Sequence, residues 1–111
     1  MAWMYLILAG ACEVAATTVY RYSDGLTRAW PTFGLVVFGV VSLYCLHRAV
    51  SLPVPEAVPV GTAYAVWTGV GAAGTVIVGI AAFGESADAI RMALLVLLIC
   101  SIAGLKLVSG P

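Results

Sequence analysis

Long apolar stretches run between a few charged or turn-forming positions, and their boundaries predict the architecture. Apolar residues dominate four segments, at about residues 2–20, 29–50, 57–84 and 90–108. Each is long enough, or nearly so, to cross about 30 Å of hydrocarbon as a helix rising about 1.5 Å per residue. None shows the strict alternation of a barrel strand, and each is apolar on every face, so all four read as helices. Only short polar turns separate them: Arg21-Tyr22-Ser23-Asp24-Gly25, Pro53-Val54-Pro55-Glu56 and Glu85-Ser86-Ala87-Asp88. The expected fold is all-α and integral to the membrane, a single four-helix transmembrane domain over residues 1–111 with no extramembrane domain. The first segment begins at the second residue with no positive charge before it, which reads as a span rather than a cleaved signal.

Composition sharpens this by exclusion. Of 111 residues, 63% are hydrophobic and 9% charged, where a soluble domain carries about a quarter charged. Five basic and five acidic side chains give no net charge and no clustered basic face, which excludes a soluble enzyme and a nucleic-acid binder. The sequence offers no nucleophile–base pair and no metal-ligand cluster, so neither catalysis nor a cofactor is expected. Cys12, Cys45 and Cys100 are odd in number and far apart, a spacing that suits packing better than a metal or a disulfide framework.

The few charges also bear on topology. An even number of spans puts both termini on one side, with Arg48 and Lys106; the other side carries Arg21, Arg28 and Arg91. The positive-inside rule acts on such counts, and two against three predicts weak orientation preference and insertion both ways. Transporters are commonly built from two inverted repeats around a site near the midplane. Four helices are enough for one repeat, and an antiparallel dimer supplies the second.

Glu13 is the residue that the pattern does not explain. It stands more than half-way along the first segment, between Ala11-Cys12 and Val14-Ala15-Ala16. A charge at that depth costs about 2.5–3.5 kcal/mol on insertion scales and marks a functional site by default. A proton or a bound cation removes that charge. The plainer alternative is a protonated glutamate hydrogen-bonded to a neighbouring helix. Helical spacing gathers Ala9, Gly10, Ala16, Thr17 and Tyr20 on its face; the small residues admit a second helix or a ligand, and Thr17 adds a hydroxyl.

The third segment holds Tyr64 and Trp67, three residues apart and hence on one face, deeper than interfacial aromatics usually sit. Such a pair offers a π-face to a cation and a phenol to a carboxylate, or it is simply two core aromatics. Gly69, Gly71 and Gly74 are candidates for a kink in that helix. Ser42 and Tyr44 add polar groups to the second segment, while Ser101 and Gly104 among the aliphatics of the fourth suit dimerisation.

Glu13 in Ala11-Cys12-Glu13-Val14, the Tyr22-Ser23-Asp24-Gly25-Leu26-Thr27-Arg28-Ala29-Trp30-Pro31 loop and Gly61-Thr62-Ala63-Tyr64-Ala65-Val66-Trp67-Thr68-Gly69 together resemble the small multidrug resistance family. The resemblance covers essentially the whole chain. It implies antiparallel four-helix dimers of a bacterial-type inner membrane that exchange protons for small organic cations. It matches Glu13 to the essential glutamate, and Tyr64, Trp67 and Ser42 to site residues. Guanidinium exporters of the family usually carry tryptophan three residues after the glutamate. Ala16 stands there, in Ala16-Thr17-Thr18, which looks more like the exporters of bulkier quaternary ammonium compounds. Trp67-Thr68-Gly69-Val70-Gly71 and Gly104-Leu105-Lys106 look more like the guanidinium branch. Glu85 and Asp88-Ala89-Ile90-Arg91 are similar to one member of the pairs that work as heterodimers. The loop Ser51 to Pro59 is longer and richer in proline than the family norm.

The expectation is a proton-coupled antiporter of guanidinium-type cations, with quaternary ammonium second. The alternatives are a quaternary ammonium exporter, one subunit of an obligate heterodimer inactive alone, and a passive pore. Ala16 in place of an aromatic wall implies a wider site, or a ring supplied by a partner chain.

Overall fold

The computed structural model describes residues 1–53 and 57–108. Four helices follow in chain order: α1 (Ala2–Arg21), α2 (Ala29–Ser51), α3 (Val60–Phe83) and α4 (Ala89–Val108). All four are long and apolar enough to cross a membrane.

Each boundary has a local cause. After α1 the chain turns through left-handed conformations at Asp24, Gly25 and Leu26 (φ 51°, 68° and 70°). The buried Ser23 organises that turn: its hydroxyl donates to the Tyr20 carbonyl at 2.7 Å and accepts from the Leu26 N–H at 3.1 Å. Pro31 lies in the first turn of α2, where its missing N–H costs no helical bond. The expected start of the third helix at 57 moves to Val60. Val58 precedes a proline, which disfavours helical backbone. Its N–H reaches back to the Ala49 carbonyl at 3.3 Å, and its side chain is buried. Part of the proline-rich turn, residues 54–56, lies outside the described residues. At the other end of α3, Gly84 adopts the left-handed conformation (φ 68°), and the Glu85 N–H closes on the Gly79 carbonyl at 3.1 Å. Asp88 caps α4 by accepting from the Arg91 N–H at 2.8 Å; that bond first, and the Ser86 hydroxyl second, hold its carboxyl below the usual carboxylate range.

Packing places α1 against both α2 and α3, while α4 contacts α3 alone. The core is a cluster of Ala2, Leu6, Ala49, Val58, Ala63 and Val66, where the start of α1 meets the end of α2 and the start of α3. The Cα atoms extend over 43 × 36 × 16 Å, so the helices form a flattened layer that is shorter in one direction than in the other two. Trp30, Phe33, Val36, Val40, Tyr44, Leu94 and Leu97 project from it exposed.

Candidate functional site

Small residues let α1 and α3 cross at close range. A Cβ on Gly10 would run into the Val70 side chain, and one on Gly74 into that of Val14. Between these points, a Cβ on Gly71 would come within 3.2 Å of the Glu13 Cβ. Glu13 therefore leaves α1 beside the bare backbone of α3. It opens into a groove of about 400 Å³ with Thr17, Thr68, Gly71, Ala72 and Thr75. Glu13 itself is half-buried.

The groove is closed on one side by a directed hydrogen-bond chain. The Thr17 hydroxyl donates back to its own helix, at 3.1 Å from the Glu13 carbonyl and 3.0 Å from that of Val14. With that proton committed, the 2.8 Å bond between the Thr17 and Thr75 hydroxyls has Thr75 as donor. Thr68 likewise donates to the Tyr64 carbonyl at 2.8 Å. Tyr64, Thr68, Gly71 and Thr75 recur at spacings of four, three and four, so they form one stripe along α3. Thr68 and Thr75 escaped the sequence reading, although that spacing was the signal that marks them.

Behind the groove a second polar junction locks three helices together. Ser42 is fully buried; its hydroxyl donates to the Ala9 carbonyl at 2.7 Å and accepts from the Trp67 indole N–H at 2.8 Å. Trp67 meets Tyr64 edge to face, with centroids 5.9 Å apart at 65°. Tyr64 is 60% exposed and lines a pocket with Leu43, Leu46 and His47 of α2. Among the described residues, neither Ser42, expected to bond the substrate or Glu13, nor Tyr64, expected to bond the carboxylates, makes a hydrogen bond to Glu13 within the protomer. Ser42 has spent its proton on α1, because α2 crosses there closely enough to reach a backbone carbonyl.

The other expected site residues separate. Thr17 and Gly71 belong to the groove, whereas Gly10 belongs to the α1–α3 crossing. Gly69 faces α4: a Cβ there would meet the Ile102 side chain at 2.9 Å. Gly69, Gly71 and Gly74 leave α3 α-helical without a break from Val60 to Phe83. Ala16 is 2% exposed, so the missing aromatic does not widen the site; the space is closed by packing. Ser101 bonds the carbonyl of Leu97 in its own helix at 2.8 Å and is exposed, and a Cβ on Gly104 would meet nothing within 4 Å. Both stand on open surface of α4. Among the described residues, no group of histidine, cysteine or carboxylate side chains could hold a metal ion.

The arrangement can hold one positive charge against one carboxylate, beside hydroxyls, at a depth where charge is costly. Comparison with known proteins agrees with that chemistry. The family model described as Small Multidrug Resistance protein matches residues 1–98. A protein of Escherichia coli O6:H1 called guanidinium exporter is 44% identical over 107 residues, covering 96% of this chain and 97% of its own. Proteins of the same name from Yersinia pseudotuberculosis and Proteus vulgaris are 43% and 40% identical, each over 98% of this chain and 100% of their own.

Proposed function

The chain belongs to the small multidrug resistance family, and from that premise we propose that it exports guanidinium-type cations in exchange for protons. The observation that carries the reading is Glu13. Among the described residues it is the one carboxylate inside the four helices, and it opens into a groove lined by hydroxyls. The relatives named guanidinium exporters, alike over nearly the full length, support the substrate class.

The mechanism is competition for a carboxylate. Protons or a planar cation neutralise Glu13, and only the neutralised protein changes access, because moving bare charge through the low-dielectric barrier is expensive. In this reading the functional unit is an antiparallel dimer inserted both ways in a bacterial-type inner membrane; four helices making one repeat, and the groove at Glu13, support it. In that dimer two copies of Glu13 share one site and titrate as a coupled pair. On the same reading Tyr64, on the α3 stripe that carries Thr68, Gly71 and Thr75, bonds the carboxylates and reports their occupancy; its 60% exposure supports this. Trp67 holds the Tyr64 ring edge to face and is itself held by Ser42, so in this reading both act on the site by positioning Tyr64.

Reconstituted alone in liposomes and recorded electrically, the protein gives capacitive currents on adding guanidinium. Glu13→Gln abolishes them while leaving membrane insertion intact. A mutant that still exchanges protons for guanidinium refutes the mechanism. Current with only a tetraalkylammonium ion moves the substrate class, and silence with both makes a second, paired chain the requirement.

A further inference from the structure

The Thr17–Thr75 pair lines both the Glu13 groove and a neighbouring pocket of about 260 Å³, whose other walls are Thr18, Tyr20, Arg21, Val78, Phe83 and Glu85. A single hydroxyl–hydroxyl bond thus stands between this pocket and the Glu13 groove. Here the chain's own side chains show what the pocket holds. The Arg21 guanidinium stands 4.6 Å from the centre of the Phe83 ring, which also meets the Tyr22 ring at a steep angle with centroids 5.7 Å apart. The Arg91 guanidinium reaches Glu85 Oε1 at 2.6 Å. A guanidinium is recognised by an aromatic face and a carboxylate edge, and both are present.

The carboxylate is fixed in place. The left-handed Gly84 and the bond from the Glu85 N–H to the Gly79 carbonyl fold Glu85 back over α3. Its carboxyl group lies over Gly79, where a Cβ would run into it. Arg91 takes Oε1, and among the described residues Oε2 accepts no hydrogen bond.

We propose that this pocket is an outer binding site for a free guanidinium-type cation, with Arg21 as its built-in competitor. The entering cation takes the Phe83 face and Glu85 Oε2, and Arg21 swings from the exposed end of α1 to water and headgroups. One guanidinium replaces another, so the charge of the pocket is unchanged by the exchange. The site lies on a path to Glu13, with the Thr17–Thr75 bond as the partition. The ligand class rests on the export reading above; the pocket and its internal competitor do not.

The test is equilibrium binding of radiolabelled guanidinium to the purified full chain carrying Glu13→Gln, which removes the inner site. Weak, saturable binding is expected to persist. Adding Glu85→Gln weakens it by about tenfold, the loss of one charge-assisted contact. Adding Arg21→Gln instead tightens it by about threefold or more, as removal of a competitor must. A gain of affinity is not what misfolding produces, so this arm stands even if the Glu85 variant fails to fold. No saturable binding in Glu13→Gln, or no tightening in Arg21→Gln, overturns the outer site. Failure of the export reading shows differently, as wild-type protein that gives no guanidinium current.

Discussion

Helices α1 and α3 differ from α2 and α4 in what their apolar residues face. Within the most hydrophobic stretch of each, 28% of α1 and of α3 is buried inside the protomer, against 6% of α2 and of α4. The inner pair carries glycine, alanine and threonine where the chains cross, and it carries the carboxylate. The outer pair carries valine, leucine and isoleucine that project outward, with Ser42 the main polar exception in α2. Inside a membrane no water drives helices together, so close contact must come from shape. The carboxylate and the glycine-lined crossing therefore fall on the same two helices, although the most extensive packing of α1 is against α2.

The comparison breaks most severely at Ala16. Replacing it by tryptophan, the residue usual in guanidinium exporters of the family, forces a ring into a site that is 2% exposed. The expected cost exceeds the about 1–3 kcal/mol of ordinary overpacking, read as a loss of folded protein on heating in detergent. An aromatic wall restored with full stability and activity would show that the helices packed over Ala16 separate easily. Next comes Gly74→Leu against Gly104→Leu. The first drives a side chain into Val14 and is expected to destabilise the protomer by about 1–3 kcal/mol or more. The second meets nothing within the protomer, so its melting is unchanged and only the dimer fraction, read by cross-linking, is expected to fall. Equal effects on melting would erase the distinction between inner and outer helices.

Ser42→Ala sharpens the comparison from the other side, since it removes the link that ties an outer helix to both inner ones. It leaves the Trp67 indole unpaired and costs about 0.6–2 kcal/mol; a double-mutant cycle with Trp67→Phe isolates the bond. The smallest effect belongs to the exposed start of α4. The Asp88 carboxyl is held below its ordinary range in the folded protein, so its contribution is present above the unfolded value and is lost as pH falls through the folded one. Asp88→Asn is expected to flatten the acid limb of hydrogen-exchange protection at the first turn of α4, and little else.

The number and nature of the helices were legible because charges interrupt the hydrophobic pattern in few places, and the same pattern exposed Glu13. The start of α3 was legible too, had Pro59 been given its full weight. Other features depend on where helices cross, which no single-helix periodicity contains. That Ser42 spends its proton on the Ala9 carbonyl, that Gly69 faces α4 rather than the groove, and that Ala16 is sealed follow from the distance between axes. Glu85 was read as part of a loop; its return over Gly79 needs the left-handed Gly84, a helix-ending signal that the sequence does display.

A slab of helices whose Cα atoms span 43 × 36 × 16 Å has two broad sides and a small interior. Whatever lies against those sides does so in competition with acyl chains, one molecule displacing others of similar polarity. Occupancy is then governed by mole ratio in the plane of the bilayer. For such a chain, adding lipid at constant protein is a dilution, and the amount of surrounding water is irrelevant.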